Sequence, residues 1–158
     1  MSTSTFHYDT YIRTTSENLW SALTDAESIK QWWFGVRCES EFTSGSSWKL
    51  VYPDGHISDT GEIVEVEPLR RLVIRWHNHG NPEFKAEGAS LCTFELESNG
   101  PAVKLSVTHT IAREKSKLID RLSLVWPMPL SNLKSLLENG SVVLHAPFPI
   151  QNAVSRKE

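Results

Sequence analysis

Cysteine is scarce in this chain. Cys38 and Cys92 are the only two, and they form neither a C-x-x-C pair nor a cluster with histidine. A disulfide scaffold and a structural zinc site are therefore excluded as organising principles. A basic excess is missing too: 16 Lys and Arg face 19 Asp and Glu, for a net charge of −3. That balance argues against a nucleic-acid partner. No apolar run approaches the ~20 residues of a membrane-spanning helix. The stretch Met1 to Arg13 lacks the charged-then-apolar order of a secretory signal. Reduced thiols in a cytoplasmic protein are the expectation that follows. There is no P-loop, dinucleotide fingerprint or nucleophile elbow, so neither cofactor nor metal is expected. Repeats and dividing linkers are absent as well, which leaves one domain over 1–158. Its core is expected from about residue 6 to 140, with 141–158 a poorly ordered, flexible tail.

What the chain does have is tryptophan, six of them. Rings of that size must be buried, either in a core or around a ligand. The strand formers Tyr8, Tyr11 and Ile12 predict a strand over Phe6 to Arg13. Thr14 or Thr15 then caps a helix with Leu19, Trp20 and Leu23 on its apolar face, and Asp25 caps a second that runs towards Trp32. Ser46 to Tyr52 alternates, Pro53-Asp54-Gly55 turns, and His56 to Glu67 is a long strand around Gly61, a position suited to a bend or bulge. Further strands are predicted at Arg71 to His77, Ala89 to Glu97 and Ala102 to Thr110, the last two joined at Asn99-Gly100. The polar stretch His77 to Gly88, with Gly80, Pro82 and Gly88, reads as a loop.

Helical spacing returns at Leu118, Ile119, Leu122 and Val125 within Glu114 to Val125. A closing helix then begins near Trp126, where Pro127 and Pro129 fit the first turn because its N–H groups lack intrahelical partners. Leu130, Leu133, Leu136 and Leu137 form its apolar stripe, with Asn132 among the residues on the other side. Gly140 suits a left-handed cap. The order is strand, two short helices, antiparallel strands, then helix. This is α+β, with the helices gathered on one face of the sheet.

Several of these segments together carry a resemblance. They are Leu19-Trp20-x-x-Leu23-Thr24-Asp25, Ile29-x-x-Trp32-Trp33, Asp54-Gly55, Gly61-x-Ile63-Val64-Glu65-Val66-x-Pro68, Arg71-Leu72-Val73-Ile74-x-Trp76, Leu105-x-Val107-x-His109 and Trp126-Pro127-x-x-Leu130-x-x-Leu133-Lys134-x-x-Leu137-Glu138. In this order the chain resembles the activator of heat-shock-protein-90 ATPase homologue-like (AHSA-like) proteins of the START/Bet v 1-like superfamily, also called SRPBCC. The resemblance implies a helix-grip fold, in which a curved antiparallel sheet wraps around a C-terminal helix and two short helices follow the first strand. It also implies a hydrophobic cavity, which in the superfamily takes lipids, sterols or polyketides, and in a few members serves a cyclase or aromatase. Val125 departs from the pattern, since the family usually has glycine before the tryptophan of the last helix.

The residues expected to line that cavity are Trp32, Trp33, Phe34, Trp48, Leu50, Trp76, Phe94, His109, Trp126, Leu130 and Leu133. Ligand sites are mostly apolar with a few placed polar groups, and each of these residues also suits plain core packing. His109 falls on the apolar side of its strand, as an anchor for a ligand, an acid–base group or a satisfied core histidine. His77 and His79 are two metal-type ligands without a third. Arg75 and Glu65 read as a surface pair or as groups at the cavity mouth. Binding of a small apolar ligand is placed ahead of two rivals, and no catalytic residue is assigned. A cyclase-type enzyme needs a polar dyad, for which His109 with Arg75 or Tyr52 is the best combination. A chaperone co-factor needs an exposed apolar face. Nothing in the sequence sets the oligomeric state.

Overall fold

In the computed structural model, which describes residues 2–148, every second residue of the strand Ala102–Ile111 is buried. Val103, Leu105, Val107 and His109 face inward, while Lys104, Ser106 and Thr108 are half-buried on the other face. That alternation is the pleat of a sheet with one face on a core. Seven strands share it: β1 Ser4–Ile12, β2 Arg37–Ser40, β3 Ser47–Val51, β4 Ile57–Glu67, β5 Arg71–Asn78, β6 Ser90–Asn99 and β7 Ala102–Ile111. They form one curved antiparallel sheet in the order β1-β7-β6-β5-β4-β3-β2, so β1 and β2 are its edges.

The helices between β1 and β2 begin where the sequence places their caps. Thr15 accepts from the Asn18 N–H ahead of α1 (Ser16–Thr24), and Asp25 accepts from the Ser28 N–H ahead of α2 (Ala26–Trp32). Ser116 caps α4 (Lys117–Val125) by accepting from Ile119. The closing helix α5 spans Pro127–Asn139 and ends on Gly140 at φ 82°, the left-handed cap. Trp126, with helical backbone angles, is at once the last cap of α4 and the first of α5, and its side chain makes no capping bond to α5. The two prolines remove N–H donors there, so the chain turns from one helix into the next without a loop.

Four local expectations change. The polar stretch 77–88 is not all loop: β5 runs on to Asn78, and α3 (Pro82–Glu87) starts from Asn81, whose side chain accepts from Glu83 N–H. Pro82 occupies the first helical turn, where proline is compatible, so it marks a beginning rather than a break. The short strand β2 lies in a stretch with no clear period. Gly61 is not the bulge: the register of β4 shifts between Ile63 and Glu65 instead. A Cβ on Gly61 would lie 2.0 Å from the Arg75 carbonyl oxygen and 3.2 Å from the Trp48 ring, so glycine is there for close approach.

The fourth change concerns Asn132. It lies in the core rather than on the outer face of α5. Its amide nitrogen donates to Leu144 O at 2.8 Å and to Trp32 O at 3.4 Å, and its oxygen accepts from the Val143 and Leu144 N–H groups. The start of the expected tail, 141–148, is thereby fixed against α5, because a buried amide must fill its hydrogen bonds and finds them in that backbone. Residues 149–158 lie outside the described residues. Asn132→Ala is expected to cost roughly 1–3 kcal/mol, because backbone groups lose their partners. A urea midpoint corresponding to less than about 0.5 kcal/mol, the range of surface changes, would contradict this.

Candidate functional site

Aromatic rings from five parts of the chain meet between the sheet and α5. β3 supplies Trp48, β5 Trp76, β6 Phe94, the end of α2 Trp32 and Trp33, and the α4–α5 junction Trp126. The ring centroids of Trp48 and Trp76 are 4.4 Å apart, and Phe94 meets Trp126 edge-on at 6.0 Å. Trp33 joins them: it stacks on Trp32 at 5.3 Å and lies 6.0 Å from Trp76 and 5.3 Å from Trp126. Such pairs contribute about 0.5–1.5 kcal/mol each beyond their buried area. Trp33 is nonetheless only half-buried, while the other four indoles of the cluster are at most 4% exposed.

The polar groups among these rings are paired. Trp126 Nε1 donates to His109 Nδ1 at 3.3 Å. An indole nitrogen can only donate, so His109 carries its proton on Nε2 and donates to Ser90 Oγ at 2.7 Å. Burial disfavours the imidazolium and pushes the His109 pKa down to about 3. Trp76 Nε1 donates to Asp59 Oδ2 at 2.9 Å. Burial raises the Asp59 pKa, opposed by that indole bond and by the His79 N–H. Trp32 Nε1 donates to Ala22 O at 2.9 Å. The arrangement holds rings in place and leaves His109 neutral with both nitrogens occupied.

What remains open is a gap of about 20 Å³, lined on the sheet side by Trp48, Ile74, Trp76 and Phe94, and across from them by Trp33, Phe42 and neighbouring side chains. That is room for about one water, against ~300–1,000 Å³ for a ligand site. Of the residues expected to line a cavity, Trp32, Trp33, Trp48, Trp76 and Phe94 border the gap. Leu50, His109, Trp126, Leu130 and Leu133 are buried in the core around it. Phe34 is half-buried and is not packed on that core, because its φ of 52° turns the chain there. Leu23, Ile29, Cys38, Phe42 and Ile74 border the gap without having been anticipated. Ile74 was legible from β5 alternation, and Leu23 and Ile29 from helix faces. Cys38 and Phe42 gave no signal, because their stretch has no period.

Other combinations do not come together. Arg75 is exposed and reaches Glu62 at 3.9 Å, and Tyr52 packs its ring against His56 at a tilt, so neither meets His109. Glu65 pairs with Arg71 rather than Arg75. His77 faces Glu62 at 3.3 Å, and His79 bonds the Thr60 hydroxyl at 2.6 Å. Among the described residues no group of three or more potential metal ligands occurs. Dialysis against a chelator is expected to leave the melting temperature unchanged; a clear drop would restore His77 and His79 as ligands. A larger open trough of about 920 Å³ runs past the start of α1. Its walls are charged and partly paired with each other, as in Arg71–Glu95 and Arg70–Glu67, and it lies away from the aromatic cluster. No helix among the described residues is long and apolar enough to cross a membrane.

A search among curated proteins gave no match. Among solved structures the chain is similar to MLL2253 from Mesorhizobium loti, at 24% identity and a TM-score of 0.74 over 85% of this chain and 96% of that one. It is also similar to the Aha1 dimer from Colwellia psychrerythraea, at 19% identity and a TM-score of 0.71 over 87% and 98%. A third is PFC0360w, an HSP90 activator from Plasmodium falciparum, at 22% identity and a TM-score of 0.69 over 84% and 95%. At these identities the likeness shows the fold, a seven-stranded curved sheet gripping a C-terminal helix. Residues 13–138 match the family model of activator of Hsp90 ATPase homolog 1-like proteins, and the chain belongs to that family.

Proposed function

We propose that the protein binds a small, flat, apolar molecule in the aromatic chamber between sheet and α5, in the space now held by the Trp33 ring. The observation that supports this is the position of Trp33. It touches three other indoles and borders the gap, yet it is half-buried and is the C-terminal cap of a short helix. The other indoles are pinned by hydrogen bonds or deep burial. Trp33 is the ring whose removal would enlarge the gap without taking apart the sheet. Trp32, Trp76 and Trp126 would then meet a flat guest at the ring distances Trp33 now keeps, with Trp48 and Phe94 bordering the same gap. Fold membership alone does not supply this reading, since one fold serves many functions.

The cyclase alternative lacks its dyad, as Arg75 and Tyr52 lie away from His109. A chaperone-facing role finds support in the family and in the HSP90 activator relative. The exposed large apolar residues, Tyr11, Tyr52, Ile57, Val64, Leu69, Leu124, Val143 and Phe148, are spread over six parts of the fold rather than gathered on one element.

The test is a fluorescence titration with an anilinonaphthalene probe. The native protein is expected to bind one equivalent and to transfer tryptophan emission to it. Trp33→Ala is expected to tighten the dissociation constant about tenfold or more, because the guest no longer has to displace a ring. Absence of binding by both forms, or a Trp33→Ala variant that fails to fold, would overturn the reading.

A further inference from the structure

We infer that the edge strand β2, with the joints on either side of it, is a flap that opens the aromatic chamber. Its purpose rests on the ligand reading above, but its motion does not require a ligand to be detected. Three of the side chains that border the gap, Trp33, Cys38 and Phe42, belong to the single stretch 33–42. The strand in that stretch is the outermost of the sheet and is held within the sheet by one neighbour, through the four pairs Arg37↔Val51, Cys38↔Leu50, Glu39↔Lys49 and Ser40↔Trp48, with α2 packed against it. Both of its ends are bent by residues in the left-handed region. On one side stand Phe34 at φ 52° and Gly35 at φ 78°; on the other stand Phe42 at φ 54° and Gly45 at φ 88°. Bulky side chains rarely adopt that conformation, and two phenylalanines bracket this one strand.

The side-chain ties of β2 itself are light, while the bend after it is anchored by the Gly45 N–H, which donates to Ile63 O at 2.8 Å. Glu39 reaches Arg37 at 2.9 Å and Lys49 at 3.7 Å, all exposed, and such pairs contribute little. Phe42 N–H is satisfied locally by Ser40 Oγ at 3.0 Å, so that bond moves with the strand. Rotation at the two bends would lift β2 from β3. It would withdraw Phe42 and Cys38 from one wall of the gap and draw the chain just after Trp33 outward. Segments with few neighbours and short ladders are where local opening occurs at lower free energy than global unfolding.

The two cysteines supply the test. Cys38 lies on the flap at 3% exposure, and Cys92 lies on the inner strand β6 at 0%. Burial pushes the Cys38 thiol up to about 12 and raises that of Cys92 as well. Both are therefore inert until exposed. The full chain is treated with a nitrobenzoate disulfide reagent under native conditions, and the adducts are located by mass spectrometry. Cys38 is expected to react at least about 100-fold faster than Cys92. The amides of 37–40 are expected to exchange hydrogen faster than those of β6 and β7 by a similar factor. Equal rates for the two thiols would overturn the flap, as would rapid Cys38 labelling with 37–40 amides as protected as those inner strands. Repeating the reaction with saturating naphthalene separates the two proposals. A Cys38 rate that is fast and indifferent to naphthalene keeps the flap and removes the ligand, whereas labelling that is slow both with and without naphthalene, although naphthalene binds, keeps the ligand and removes the flap.

Discussion

Trp126→Ala is expected to lower stability by roughly 3–5 kcal/mol, the range for removing a large aromatic from a core. The side chain is 2% exposed at the junction of α4 and α5, and it meets Trp33, Trp76 and Phe94. Removing it leaves a void under the helix that closes the fold. It also leaves His109 Nδ1 without its donor in a place where burial makes an unpaired acceptor expensive. Trp126→Phe separates the two contributions. It keeps most of the packing, loses the N–H, and should cost about 1–3 kcal/mol. Urea unfolding curves with unchanged slopes give both values. A cost below about 1 kcal/mol for the alanine variant would mean that the α4–α5 junction is not packed as described.

Acidification from pH 7 to 4.5 is expected to remove roughly 2–3 kcal/mol through His109 alone. The sign follows from where the proton goes. His109 is held neutral in the folded chain, with its pKa pushed down to about 3 by burial, against an ordinary value of 6.5. Between those values the unfolded chain takes up a proton that the folded chain does not. The contribution is therefore complete above about pH 6.5 and is lost progressively as pH falls towards 3. Asp59 works in the opposite direction. Its raised pKa means that the folded chain takes up a proton more readily there, which offsets part of the loss. The exposed carboxylates of Asp9, Asp54 and Glu138 are held below their ordinary values, so their contributions fade only in the acid range of carboxylates. His109→Gln should flatten the curve between pH 6.5 and 4.5. Identical pH profiles for the two proteins would show that His109 is not held neutral.

Much of this fold is written in one-dimensional patterns. The caps at Thr15 and Asp25, the alternation along β7, the turn at Asp54-Gly55, the leucines of α5 and the glycine after it each follow from local rules, and the structure places them accordingly. What escaped were features set by tertiary neighbours. β2 has no period because four residues at a sheet edge need none. Asn132 looks like an outward residue by helical spacing, yet it is buried because a returning backbone segment supplies its hydrogen bonds. Gly61 reads from the sequence as a bend or bulge, and only the distance to Arg75 O shows that it marks a close approach instead. The aromatic set was legible as a set, since tryptophans on inward positions of adjacent strands must converge. Whether they line a space or fill it depends on where one ring, Trp33, sits. No spacing rule encodes that.

The most direct test of the chamber is the indole region of a nitrogen–proton correlation spectrum, recorded while naphthalene is added. Six indole N–H signals are expected, one per tryptophan. If a flat apolar guest takes the place of the Trp33 ring, the signals of Trp33, Trp48 and Trp76 shift and saturate at one equivalent. Trp20, on α1 and not bordering the gap, serves as the control and stays in place. Signals that do not move at saturating naphthalene, or a shift confined to Trp20, would contradict the chamber and leave the six tryptophans as a packed core.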